Sequence, residues 1–173
     1  MFLEPLLDSK IFAVVVGGLI GFYGSNLNWK IQKKYERINI AYAMCQEFYI
    51  RNLIIKKVIS TTKDILNHIP CSNSAITNNS ICTDKDLFYI YRKEISGFDR
   101  NLSNSIVRLY IYLEDAEKQR KKSISSSGDT QQIFQPLLNK SADAQRELNN
   151  CLELFTKNFG FSEDDFVELD NEK

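Results

Sequence analysis

The chain has 173 residues, 22 of them basic and 22 acidic, so its formal net charge is zero and no global field draws it to a nucleic acid polymer. Hydrophobic residues make up 43% and charged residues 25%, while three Pro and seven Gly exclude low complexity and the turn-rich pattern of an all-β fold. Cys45, Cys71, Cys82 and Cys151 lack the CxxC spacing of a zinc or redox motif.

The opening ten residues, MFLEPLLDSK, have neither the basic n-region nor the small-residue cleavage site of a signal peptide. Ile11 to Trp29 follows without a charge, closed by Lys10 and Lys30. As a helix it spans roughly 28 Å, close to the roughly 30 Å hydrocarbon core of a bilayer. It reads as a transmembrane helix, with Tyr23 and Trp29 suited to the interface. The continuously apolar part ends at Tyr23, and Gly24, Ser25, Asn26 and Asn28 weaken the second half, so a core helix is the competing reading. Lys30, Lys33, Lys34 and Arg37 crowd the C-terminal side, which places residues 1–10 outside the cell and the body in the cytoplasm of a bacterial inner membrane protein. Ala13, Gly17, Gly21 and Ser25 recur every four residues and make one small-residue face, a candidate oligomerisation stripe.

No Pro or Gly appears between Lys30 and Pro70, so the helix is expected to run on. Ile31, Ile38, Cys45, Asn52, Ile59 and Leu66, with Ala41, Phe48, Ile55, Thr62 and Ile69, form a heptad-like stripe. Tyr42, Tyr49, Leu53 and Ile54 widen it beyond a two-helix seam, and Asn52 reads as a hydrogen-bonded asparagine inside a bundle. Pro70 to Thr83, rich in Ser and Asn, reads as a loop. Thr83 or Asp84 can cap a helix through Leu87, Tyr91 and Ile95 that stops at Ser96-Gly97. Asp99 caps the next, with Leu102, Ile106, Leu109, Leu113 and Ala116 on its apolar face and Lys118, Arg120, Lys121 and Lys122 at its end. Ser123 to Asp129 is a flexible connection. The last long helix starts at Thr130 or Gln131, buries Leu137, Ala144, Leu148, Cys151 and Phe155, and ends at Gly160, with Phe161 folding back. The expected fold is all-α: a transmembrane helix at 11–29, an antiparallel helical bundle at 30–160 and an acidic tail at 161–173.

The glycine-rich first segment, the basic stretch after it and the run YIYRKEISGFDRNLSNSIVRLYIYLEDAEK resemble a broad group of small bacterial single-pass proteins with cytoplasmic helical bundles. The resemblance covers roughly two-thirds of the chain and lies in apolar spacing around a Gly break. It implies the same topology, and the group brings no assigned activity.

If the segment from Asp84 to Lys122 returns along the first helix, Lys118, Arg120, Lys121 and Lys122 meet Lys30, Lys33, Lys34 and Arg37 in one lipid-facing basic collar. No catalytic, cofactor or metal site is expected. His68 has no ligand-spaced carboxylate, and a pair with Cys71 lacks an orienting third group. Gly17 to Ser25 lacks the Lys-Ser/Thr ending of a phosphate loop. Glu163, Asp164 and Asp165 lack EF-hand spacing. The expectation is a non-enzymatic interaction or self-assembly protein whose partners are the bilayer and further copies or another membrane protein. The alternative is a signal-gated membrane effector that binds a small anionic ligand, such as a nucleotide, through Arg92, Arg100 or Arg108 beside Phe88, Tyr89, Tyr91, Tyr110 and Tyr112.

Overall fold

The computed structural model describes residues 10–69, 74–83, 86–161 and 164–167, without the side chains of residues 10–15, 164 and 167. Seven helices in chain order, α1 (Lys10–Leu66), α2 (Ser74–Asn78), α3 (Leu87–Ile90), α4 (Arg92–Ile95), α5 (Arg100–Ser125), α6 (Thr130–Phe159) and α7 (Asp164–Val167), and no strand occur among the described residues. The chain divides into two compact units, residues 1–39 and 40–173. The expected residues 1–10 tail and the end of the acidic tail lie largely outside the described residues.

Helix α1 is long because nothing in it breaks it, and it closes where His68 takes a left-handed φ of 57°. From residue 40 onward its buried side is Ala41, Phe48, Ile55 and Thr62 flanked by Met44, Cys45 and Val58. Ala41, Cys45, Phe48, Ile55 and Thr62 of the expected stripe are therefore core. Ile31, Leu53 and Ile69 are exposed instead, and Oδ1 of half-buried Asn52 has no hydrogen-bond partner among the described residues, so Asn52 is not the satisfied bundle asparagine its position implies.

The other two long helices follow their sequence signals closely. Asp99 caps α5 by accepting from the Asn101 and Leu102 amides, and all five expected apolar residues of α5 are fully buried. Asp129 caps α6 at Gln131 N, all five of its expected core residues are fully buried, and Gly160 ends it at φ 77°. Pairs such as Ser105–Glu147, Asp115–Lys140 and Ser123–Ile133 fix α5 and α6 as antiparallel.

Helix α6 is also antiparallel to the 40–66 part of α1, since Phe48 meets Phe155 at 5.7 Å and Tyr42 meets Phe161 at 5.6 Å between ring centroids. Helix α5 must then run parallel to α1. This corrects the expectation that the segment 84–122 returns antiparallel: the returning piece is the one before α5. Ile76 and Ile81 meet the C-terminal end of α5, Asp86 and Leu87 meet Arg51 and Glu47 near the middle of the 40–66 part of α1, and Phe98 reaches Phe155 and Phe159. The described residues of the expected loop, Ser74–Thr83, and the expected helix after it, which is split into α3 and α4, together form a crossover strap, which is why Ile76, Ile81, Phe88, Ile95 and Phe98 are buried. Connecting parallel neighbours demands such a strap; a short turn joins only antiparallel ones.

Candidate functional site

In the first unit every residue from Gly17 to Arg37 is exposed, including Ile20 (68%), Phe22 (65%), Tyr23 (71%) and Trp29 (57%). Gly17, Gly21 and Ser25 lie on one face, and a Cβ added at either glycine would meet nothing within 4 Å. Ala13, the fourth residue of the stripe, has its side chain outside the described residues, as does the most apolar run, Ile11–Val15. Among the described residues no helix is long and apolar enough to cross a membrane; from Val16 on, Gly, Ser25, Asn26 and Asn28 dilute the apolar run. Lys30, Lys33, Lys34 and Arg37 are exposed, and Lys33 pairs with Glu36 at 2.8 Å.

The other half of the expected collar is built differently. Arg120 is only 7% exposed: its Nε and Nη2 donate to Glu117 at 2.8 and 2.7 Å, and its Nη1 donates to the Ile76 carbonyl. Glu117 also accepts from the Ile81 amide at 2.9 Å. Burial alone would raise the Glu117 carboxyl, but the hydrogen bonds from Arg120 and Ile81 hold it below the usual carboxylate range. Arg120 is therefore a staple for the strap and offers no charge to a lipid. Lys118, Lys121 and Lys122 are exposed at the end of α5, which lies beside the Leu66 end of the bundle. Of the three arginines considered for a ligand, Arg108 faces Glu147 at 3.4 Å, and Arg92 and Arg100 are exposed on separate elements.

A second polar node was not expected from the sequence. Glu47 accepts from Tyr110 Oη and the Leu87 amide, both at 2.8 Å, while Arg51 reaches Asp86 and the Ser80 and Ile81 carbonyls. Asp86 in turn accepts from Thr83 N and Oγ1 at 3.0 and 2.6 Å. Burial is the main cause raising the Glu47 carboxyl, opposed by the Leu87 and Tyr110 hydrogen bonds. The Glu47/Arg51 pair at i, i+4 is the one sequence signal that pointed here, and it reads the same on any exposed helix.

Neither node presents reactive chemistry. Cys45 and Cys151 are buried free thiols, both pushed up to about 12 chiefly by burial, and Cys82 is raised for the same reason, so none is a thiolate near neutral pH. Cys71 lies outside the described residues, as do the side chains of Glu163 and Asp164. Among the described residues no group of His, Cys, Asp and Glu side chains could hold a metal ion. Compared with known protein families, curated proteins and solved structures, the chain matches none.

Proposed function

We propose that the chain is a membrane-anchored interaction or self-assembly protein whose helical bundle carries no catalytic activity. The observation that carries this reading is the exposure of Leu19, Ile20, Phe22, Tyr23, Leu27 and Trp29 on one uncharged stretch of α1. That much apolar surface is unfavourable in water and calls for a bilayer or a protein partner. Ile11–Val15 add the rest of the apolar length in sequence, and Lys30, Lys33, Lys34 and Arg37 supply the flank that stays on the cytoplasmic side. The stripe Ala13, Gly17, Gly21 and Ser25 is the face through which two such helices would associate. Fractionation of the full-length protein followed by an alkaline carbonate wash tests the anchor: retention in the membrane pellet is expected, and release into the supernatant refutes it. Substituting Gly17→Leu with Gly21→Leu should lower the oligomeric state in detergent, and an unchanged state refutes the stripe.

A further inference from the structure

Between the strap residues Ser80–Thr83 and the outer face of α5 lies a cleft of about 610 Å³, within the roughly 300–1,000 Å³ range of small-molecule sites. One wall is a single row on α5. Glu114, Lys118 and Lys121 stand at i, i+4 and i+7, so they share a helix face, and the helical rise sets the two lysines about 6 and 10 Å from Glu114 along the axis.

The two ends of this row differ in chemistry. At one end the Tyr89 hydroxyl donates to Glu114 Oε1, and Tyr89, 41% exposed, meets Phe88 and Tyr110 edge-to-face at 5.3 and 6.2 Å between ring centroids. At the other end two carboxylates stand near the lysines: Glu117 is held by Arg120 and the Ile81 amide, and Asp115 is shared between Lys118 and Lys140. Lys121 stands 3.7 Å from Glu117 and Lys118 3.8 Å from Asp115, both beyond hydrogen-bond distance, with side chains 71% and 72% exposed. Both are ion pairs with exposed lysines, weak enough for a phosphate to compete with the carboxylates for the lysines.

We propose that this cleft binds a nucleotide, with its base stacked on Tyr89, its ribose hydroxyls donating to Glu114 and its phosphates at Lys118 and Lys121. A ligand for the row must offer a flat ring at one end, hydroxyl donors next and negative charge about 10 Å away, the order in which a nucleoside phosphate carries them. A bare phosphate leaves Tyr89 and Glu114 unused, and a lipid headgroup has no ring to stack. The proposal is independent of the anchor reading, because it uses residues of the 40–173 unit alone.

Isothermal titration of the full-length protein in neutral detergent with ADP, adenosine and pyrophosphate tests it. ADP should bind more tightly than either fragment. Lys118→Ala with Lys121→Ala should weaken ADP by about tenfold or more and leave adenosine unchanged. Tyr89→Ala should weaken ADP and adenosine alike, while Tyr89→Phe, which keeps the ring, should restore most of the loss. Absence of ADP binding at millimolar concentration overturns the proposal. So does ADP binding that either variant leaves unchanged, or pyrophosphate binding as tightly as ADP, which would mark an unspecific cationic patch.

Discussion

Removing Arg120 should do far more damage than removing any exposed lysine near it. In Arg120→Ala, Glu117 loses both hydrogen bonds from the guanidinium, the Ile76 carbonyl loses its donor, and a carboxylate with a side chain only 7% exposed keeps just the Ile81 amide and a distant Lys121. Breaking one partner out of a buried pair costs about 3–5 kcal/mol, because the remaining charge stays desolvated. For a chain of this size about 2–4 °C follows per kcal/mol, so the melting temperature should fall by roughly 6–20 °C. The double variant Arg120→Met with Glu117→Leu removes the stranded charge and should recover most of the loss. Acid should act on the same pair. The folded carboxyl of Glu117 lies below its ordinary 4.5, so its contribution is complete above the unfolded value and is lost as pH falls through the folded one. Denaturant unfolding followed by circular dichroism measures both effects, and amide exchange at Ile81 reports the staple directly. A loss under about 1 kcal/mol for Arg120→Ala, with the Ile81 amide still protected, would refute the argument.

Glu47 gives the opposite pH dependence. Its folded carboxyl is raised above 4.5, so its share of stability is present below the unfolded value and declines as pH rises through the folded one; Glu47→Gln should flatten that decline in a pH series of melting curves. Phe155→Ala, which empties the meeting point of Phe48, Phe98 and Phe159, should cost about 3–5 kcal/mol by denaturant titration. Gly160→Val forces a β-branched side chain to φ 77° and should destabilise by about 1–2 kcal/mol, visible as fraying of the last turn of α6 in amide exchange.

Where local chemistry sets the structure, the sequence was readable. The Asp99 and Asp129 ends of α5 and α6, the Gly160 stop and the ten apolar residues on the inner faces of those two helices all follow from capping geometry and a period of 3.6. The strap was not readable, because Ile76, Ile81 and Phe98 stand isolated among Ser, Asn and Thr with no period to reveal a buried side. Arg120 was misread for a related reason: in sequence it is one of four basic residues at a helix end, and only the arrival of Ile76 and Ile81 turns it inward while Lys118, Lys121 and Lys122 remain in solvent. The cleft beside Tyr89 shares that origin, since one of its walls is the strap.

The two polar nodes gain their meaning from the direction of α5. Had α5 packed antiparallel to α1, the turn between them could have been short, and hydrophobic packing would have sufficed. A parallel pair instead requires the connection between α1 and α5 to travel back along the bundle, and a polar segment of short helical turns laid on an apolar surface leaves backbone groups that need partners. The bundle supplies them one by one: Arg120 to the Ile76 carbonyl, Glu117 to the Ile81 amide, Arg51 to the Ser80 and Ile81 carbonyls, and Glu47 to the Leu87 amide. Each buried charge therefore answers a backbone group of the strap. Burying ionic groups contributes little to net stability compared with apolar packing, but it fixes where the strap lies, since a shift of one residue would break the hydrogen bonds of these four side chains to the Ile76, Ser80, Ile81 and Leu87 backbone groups at once. Register of the strap is thus the property these four side chains determine, and the same register sets Ser80–Thr83 opposite Glu114, Lys118 and Lys121.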